Sequence, residues 1–329
     1  MTDELDRAIL HALQHAPRAP FSRIADVIGV SEQTVGRRYQ ALRRAGVMRV
    51  IGLVNPAVYG QMKWVVRIRC RPDRVDPLAD ALVRRPEIAY ANLASAGTEI
   101  ICIIRSPVST PRDDVLFRQL PKSAAVLQLG IDLLIHAYAH PDTPGWTGYG
   151  APLTPEQSEQ LAGPQPRTST GPPEAPTDQD AALLAALAED GRATHTRLAE
   201  LTGWPATRVA RRLEALEACG ALVYDVDLLP EQLGYHLNAT IWLRVAPARL
   251  HQIGTQLAGH DEVAFTGAIS GEHNLMAIVV CRDADDFYRY LTNRFAAIPG
   301  IDSYTISIRV RRLKQAASLI AHGRLIHPA

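Results

Sequence analysis

Val35-Gly-Arg-Arg-Tyr-Gln-Ala-Leu-Arg-Arg-Ala-Gly46 returns 174 residues later as Val209-Ala-Arg-Arg-Leu-Glu-Ala-Leu-Glu-Ala-Cys-Gly220. At about 100° per residue, Val35, Tyr39 and Leu42 share one face of a helix and must pack inward. Gln33, Arg37, Gln40 and Arg44 fall on the opposite face, with Thr34 and Arg38 on the flank nearer the preceding turn. Ser31 is placed to cap this helix, Glu32 suits its first turn, and Gly46 stops it. Two shorter apolar patterns precede it. Asp3–Gln14 carries Leu5, Ala8, Ile9, Ala12 and Leu13 at helical spacing, and Phe21–Ile28 carries Ile24, Ala25 and Ile28 before Gly29. Helix, helix, tight turn, helix is the helix-turn-helix arrangement. The outer face of its last helix holds the groups that read DNA: arginine for guanine edges or phosphate, glutamine for adenine, threonine for either.

Working outward, the 174-residue offset aligns Asp3–Gly60 with the second copy without a gap, at eighteen identities in 58 positions. Pro56 and Gly60 fall on Pro230 and Gly234, and Gly97 falls on Gly271. The chain is therefore one module written twice. Five segments follow: helix-turn-helix domains at 1–60 and 178–234, a second type of domain at 61–139 and 235–329, and a joint at 140–177. The joint contains GPQPRTSTGPPEAPT, which cannot build a core. Within it, Thr154 followed by Pro155 opens a short helix over Leu153–Leu161.

After each helix-turn-helix the periodicity changes. Lys63–Cys70 alternates as a strand, Asp73–Arg85 is helical, Ile88–Ala96 and Ile100–Arg105 are strands, a helix follows around 112–120, and Leu127–Tyr138 is a strand. The second copy repeats this over Leu237–Val245, Pro247–Leu257, Val263–Ile269, Leu275–Cys281, Asp283–Ala297 and Ser303–Leu313. The order βαββαβ is ferredoxin-like. The fold class is α+β: two copies of a winged/helix-turn-helix domain followed by a ferredoxin-like domain.

An N-terminal helix-turn-helix joined to a βαββαβ half resembles the Lrp/AsnC family of transcription regulators. The likeness rests on Leu5-Asp6, Ile9-Leu10, Ala25, Gly29–Ser31, Val35, Arg38, Leu42 and Gly46. In the second copy it rests on Gly271, Ile298-Pro-Gly-Ile301 and Leu313-Lys314-Gln315. The resemblance implies double-stranded DNA as partner and a RAM-type sensing half that pairs through its sheets and takes a small-molecule effector, often an amino acid. It places DNA contact on Ser31, Gln33, Thr34, Arg37, Arg38, Gln40 and Arg44, and on Thr207, Arg208, Arg211 and Arg212 of the second copy. It places effector contact at a loop that in such proteins commonly reads G-x-x-D. Here that loop is Gly97-Thr98-Glu99-Ile100 in one copy and Gly271-Glu272-His273-Asn274 in the other. The usual aspartate is replaced in both. Family members pair two subunits on two half-sites, so one chain can supply both halves as a pseudo-dimer, and a homo-oligomer would be a dimer or tetramer of such chains.

The two reading heads differ in charge. Asp3–Gly60 holds eight arginines and five acids, whereas Thr177–Gly234 holds five arginines and ten acids. Gln40 becomes Glu214, Arg43 becomes Glu217, Arg44 becomes Ala218 and the cap Ser31 becomes Pro205. Fewer cations release fewer counterions, so the first head is expected to carry most of the DNA affinity. The second either reads a different half-site or has turned structural. The net charge of +1 over 329 residues conceals this asymmetry.

The remaining features are exclusions. The first residues, MTDELDRAILHALQ, have no basic start or apolar core of a leader, and no apolar run approaches a bilayer span, so a soluble cytoplasmic protein without membrane partners is expected. Cys70, Cys102, Cys219 and Cys281 are far apart, with no metal spacing, and are expected as reduced, mostly buried thiols. No metal, cofactor or catalytic residue is expected, because no phosphate loop, nucleophile elbow or dinucleotide fingerprint is present. The enzyme alternative comes from two-module proteins similar to this family that decarboxylate a sirohaem-type tetrapyrrole. Their run near R-E-H-x-(F/Y)-N-L-W-F is matched only by Ser270-Gly-Glu-His-Asn-Leu-Met-Ala277, which lacks the arginine, the aromatic residue and the tryptophan. A third reading is a ligand-binding module without DNA affinity.

Overall fold

Asp3 accepts the Asp6 N–H and Asp6 returns a bond to the Asp3 N–H, and this capping box starts α1 (Glu4–His15). Helix α2 (Phe21–Ile28) ends on Gly29 at φ 79°, which only a residue without a Cβ adopts readily. Helix α3 (Glu32–Arg44) is capped as expected by Ser31, whose Oγ accepts the Thr34 N–H at 3.2 Å. A strand not anticipated from periodicity, β1 (Met48–Val54), follows. The second copy repeats the order as α6 (Ala181–Glu189), α7 (His195–Thr202), α8 (Ala206–Ala218) and β6 (Leu222–Leu228).

The computed structural model describes residues 3–107, 120–139, 145–146, 148, 152–162, 175–316 and 318–326. The helix expected around 112–120 lies outside the described residues up to 119, as does 163–174 of the Pro-rich joint. The chain divides into two compact units, and like segments gather with like. One unit comprises residues 3–61, 152–228 and 321–329, and holds both helix-turn-helix domains. The other comprises 1–2, 62–151 and 229–320, and holds both βαββαβ domains. The five consecutive segments of the sequence therefore regroup by type.

In the first unit β1 pairs antiparallel with β6 over seven residue pairs, Met48↔Leu228 to Val54↔Leu222. The middle pair is Ile51↔Asp225, and these are the same position in the two copies. A pseudo-two-fold axis thus passes through the ribbon. The short helix expected in the joint is α5 (Pro155–Ala162), and Thr154 caps it reciprocally with Gln157. It is no spacer. Leu153 and Leu161 are buried, the helix packs on α1 and α2, and Gln157 Nε2 donates to Val27 C=O at 2.8 Å.

In the second unit, β2 (Gln61–Cys70), α4 (Val75–Val83), β3 (Ile88–Ala94), β4 (Glu99–Pro107) and β5 (Val126–Tyr138) form the first sheet, in the order β5-β2-β4-β3. The second sheet holds β7 (Leu237–Val245), β8 (Val263–Ile269), β9 (Leu275–Cys281) and β10 (Ile301–Gln315), with α9 (Leu250–Ala258) and α10 (Ala284–Arg289). Its order is β10-β7-β9-β8, the same pattern. A π-helical turn, Tyr290–Phe295, continues α10. The edges join: β5 pairs with β8 and β3 with the far half of β10, so eight strands close into a ring. Each sheet has an outer core under its helices. Between the sheets Val65, Ala94 and Ile101 meet Trp242, Ile269 and Met276. All four cysteines are free thiols, three of them buried. No helix among the described residues is long and apolar enough to cross a membrane.

Candidate nucleic-acid interface

The two reading helices are built alike on their inner faces. Val35, Tyr39 and Leu42 of α3 are buried, as are Val209, Leu213 and Leu216 of α8. On the outer face of α3, Gln33, Arg37, Gln40 and Arg44 are exposed, Ser31 is an exposed cap, and Thr34 is half-buried with its Oγ1 2.8 Å from Ser31 Oγ. Arg44 Nε donates back to Gln40 C=O at 3.2 Å. On α8, Thr207, Arg208, Arg211 and Glu214 are exposed. Arg208 lies 4.0 Å over the Trp204 ring and donates to Gln179 at 3.0 Å. Arg37 and Arg211 occupy the same position in the two copies, and neither makes an ion pair with a described residue.

Two expected contacts turn away from this face. Arg38 binds Asp3 at 2.8 Å and Asp6 at 3.4 Å, and so ties α3 to the start of α1. Arg212 makes the equivalent pair with both oxygens of Asp180, at 2.8 and 2.7 Å. The Asp180 side chain is only 2% exposed. The Arg212 hydrogen bonds, joined by those from Thr177, hold its carboxyl below the usual carboxylate range despite burial. The physical reason is position: the flank nearer the turn faces helix one, where a buried carboxylate needs a partner.

A second set of residues, unread in the sequence, fixes one head against the other. Arg18 donates to Gly191 C=O at 2.6 Å, and its counterpart Arg192 donates to Pro17 and Ala19 C=O at 2.6 and 2.7 Å. Arg43 pairs with Asp190 at 2.7 Å, and Arg49 donates to Glu189 C=O at 2.6 Å. Asn55 bonds Gly220 and Ala221 by side chain and backbone. One signal was present, since Arg18 is identical in the two copies, but Arg43, Arg49 and Asn55 become Glu217, Val223 and Leu229 and gave none.

The two effector-type loops are also unlike. In the first, Gly97 sits at φ 85° and Thr98 is exposed, but Glu99 is only 2% exposed. Its carboxylate takes Arg67 at 2.9 and 3.0 Å, Ser95 Oγ at 2.9 Å and Ser307 Oγ at 2.8 Å. Arg67 stacks 4.3 Å over Trp242, whose Nε1 donates to Ser307 Oγ at 3.1 Å. This loop's acid is consumed internally, between the sheets. In the second, Gly271 and Glu272 are exposed, while Asn274 is tied by both ends of its amide to the Val245 backbone at 2.8 and 3.0 Å. Burial, with Arg67 nearby, holds His273 below its ordinary value. Gly271 lies so close to the Asp132 carboxylate that any side chain there would displace it. No group of three metal-type ligands occurs among the described residues.

The model of the AsnC-type helix-turn-helix domain matches residues 3–43 and again 177–217, and that of the Lrp/AsnC ligand binding domain matches 238–319. The "HTH-type transcriptional regulator LrpA1" of Halobacterium salinarum is 30% identical over 133 residues, which are 40% of this chain and 94% of that protein. The chain belongs to the Lrp/AsnC family. Its LrpA relative in Pyrococcus abyssi is 28% identical over 138 residues, 42% of this chain and 98% of the relative. Each relative is thus about as long as one of the two modules. A solved siroheme decarboxylase, NirDL, shares the fold over 95% of this chain and 93% of its own, at a TM-score of 0.63 and 13% identity. A tandem arrangement of this architecture therefore has a solved counterpart, and at that identity the likeness is one of fold alone.

Proposed function

We propose that this Lrp/AsnC protein is a cytoplasmic, sequence-specific transcriptional regulator that binds double-stranded DNA through α3 and α8. The observation that carries the reading is the pair of outward arrays, Gln33, Thr34, Arg37, Gln40 and Arg44 on one helix and Thr207, Arg208 and Arg211 on the other, on heads locked together. Ser31 contributes as a cap. Arg38 and Arg212 serve the head itself and leave the DNA-facing set. The first head carries the greater share of affinity, because its outer face has no acid beyond Glu32 whereas α8 presents Glu214. The match to a ligand binding domain over 238–319 supports a small-molecule effector, an amino acid by family likeness, near Gly271, Glu272 and His273. Gly97, Thr98 and Glu99 offer a poorer site, since Glu99 already has three partners. Higher assemblies would be homo-oligomers of pseudo-dimeric chains.

A gel shift on the DNA upstream of its own gene, with and without an amino-acid panel, tests the reading. Absence of any shift there and in a genome-wide DNA pull-down refutes it. The second reading, a sirohaem-type decarboxylase, has the shared fold in its favour. Against it, the stretch Ser270–Ala277 keeps Glu272-His273 and Asn274-Leu275 but lacks the arginine, the aromatic residue and the tryptophan of the enzyme run, and Asn274 is bonded to backbone. A Soret band shift on adding an iron tetrapyrrole would favour the enzyme.

A further inference from the structure

We infer that one chain reads an operator of two unlike half-sites, inverted in geometry but not in sequence, at one fixed spacing. The inference rests on the reading of the chain as a DNA-binding regulator and concerns what DNA it selects.

Three observations carry it. First, the heads are held by a symmetric register. The β1–β6 ribbon pairs Ile51 with its own equivalent Asp225, so the heads are related by a pseudo-two-fold axis through that pair. Two heads related by a two-fold present their reading helices to half-sites running in opposite directions. Second, the relation is rigid. Reciprocal donation by Arg18 and Arg192, the Arg43–Asp190 pair and the bonds of Arg49 and Asn55 all cross between heads. The seven ribbon pairs add a continuous backbone ladder. Third, the outward faces diverge while the core of each head does not. Arg38 and Asp6, which tie each reading helix to its own first helix, recur unchanged as Arg212 and Asp180, and Arg18 recurs as Arg192 in the reciprocal bonds between heads. Of five outer positions only Arg37/Arg211 is shared. The others read Gln33 against Thr207, Thr34 against Arg208, Gln40 against Glu214 and Arg44 against Ala218.

Base readout depends on those side chains. Glutamine pairs with adenine through both its amide groups, arginine pairs with guanine, and glutamate, which can only accept, suits the amino group of cytosine. Two heads with these differences cannot favour the same half-site. The shared arginine suits a contact common to both, a phosphate above all. Where α3 offers Thr34, α8 offers Arg208, preset on the Trp204 ring, so the second half-site carries a G·C pair at that place. A single-module relative that pairs two identical subunits has no way to encode this asymmetry. The fused chain does, with one chain per pair of half-sites.

The test starts with the full-length protein and a random DNA pool. The expected product is a bipartite site whose halves differ. The selected operator is then rebuilt as left–left, right–right, and left–right with five extra base pairs between the halves. The native arrangement is expected to bind about tenfold or more tightly than either symmetrised site, the loss of one or two good base contacts. The half-turn insertion is expected to reduce binding to that of a single half-site. Symmetrised sites that bind equally well, or an insertion without effect, overturn the inference and leave the DNA-binding reading standing. Failure to enrich any DNA overturns both. A converted protein with Thr207→Gln, Arg208→Thr, Glu214→Gln and Ala218→Arg changes the outer face of α8 without touching its core. It should switch preference to the left–left palindrome, and retention of the left–right preference would also overturn the inference.

Discussion

Removing Arg212 should damage the second head without first damaging DNA contact. In Arg212→Ala the Asp180 carboxylate, 2% exposed, loses both guanidinium bonds but keeps those from Thr177. Breaking a buried pair by deleting one partner costs about 3–5 kcal/mol. The remaining Thr177 bonds lower this to about 2–3 kcal/mol, since the charge is not left wholly unsatisfied. For a unit of this size that is a fall in Tm of roughly 5–10 °C. Arg38→Ala should cost less, about 1–2 kcal/mol, because its short pair is with Asp3, which is 50% exposed, and its contact with the buried Asp6 is long at 3.4 Å. Arg37→Ala should leave stability within about 0.5 kcal/mol of wild type yet lower operator affinity and reduce the salt slope by about one. Differential scanning calorimetry and fluorescence titration at several salt concentrations separate the two classes. An Arg212→Ala protein with unchanged Tm and a reduced salt slope would put Arg212 on DNA and refute the assignment. The pH dependence gives an independent check. Asp180 has a lowered folded value, so the pair stabilises at pH well above the ordinary carboxylate value of 3.8. That stability is lost as pH falls through the folded value, so wild type and Asp180→Asn should converge in stability under acid.

Charge reversal should rank the heads: Arg37→Glu is expected to weaken operator binding more than Arg211→Glu, and equal losses in a titration would remove the asymmetry. Glu99→Ala leaves Arg67 unpaired between the sheets and should cost about 3 kcal/mol in urea denaturation, whereas Thr98→Ala on the same loop should be neutral within about 0.5 kcal/mol. Lys314, buried and close to Arg105, is pushed down to about 8. Its charged form is therefore penalised in the fold at neutral pH, and stability should rise between about pH 8 and 10.5. Lys314→Met should raise Tm at pH 7 and lose that advantage near pH 10, a difference readable by thermal scans at the two pH values.

Much of this was legible because two copies of one pattern were available. The α3 faces, the cap at Ser31 and the βαββαβ order follow from local periodicity, which secondary structure obeys. The β1–β6 ribbon was not legible. Met48–Val54 carries no alternation that names a partner, and its pairing joins segments far apart in sequence. The inward turn of Arg38 was missed for a related reason. On a helical wheel it sits at the flank, and only the distant carboxylates of Asp3 and Asp6 decide which way it swings. The burial of Glu99 was likewise hidden, since Gly97-Thr98-Glu99 looks like a solvated turn until Arg67 and Ser307 arrive from other strands. Composition made the joint look like inert spacer, yet Leu153 and Leu161 gave it an apolar face to bury.

The pair at the middle of the ribbon bears on ancestry and partner choice. In a dimer of identical subunits the axial residue must face itself. Ile51 opposite Ile51 is tolerable there, whereas Asp225 opposite Asp225 sets like charges side by side. The second module, separated from the first, is thus a poor partner for itself. Within one covalent chain the two sides of that pair are free to differ, as Ile51 and Asp225 do. A cell holding many single-module paralogues faces mixed dimers that blur their separate regulons. A second module that pairs poorly with its own kind, and has its complement in the same chain, is insulated from that traffic.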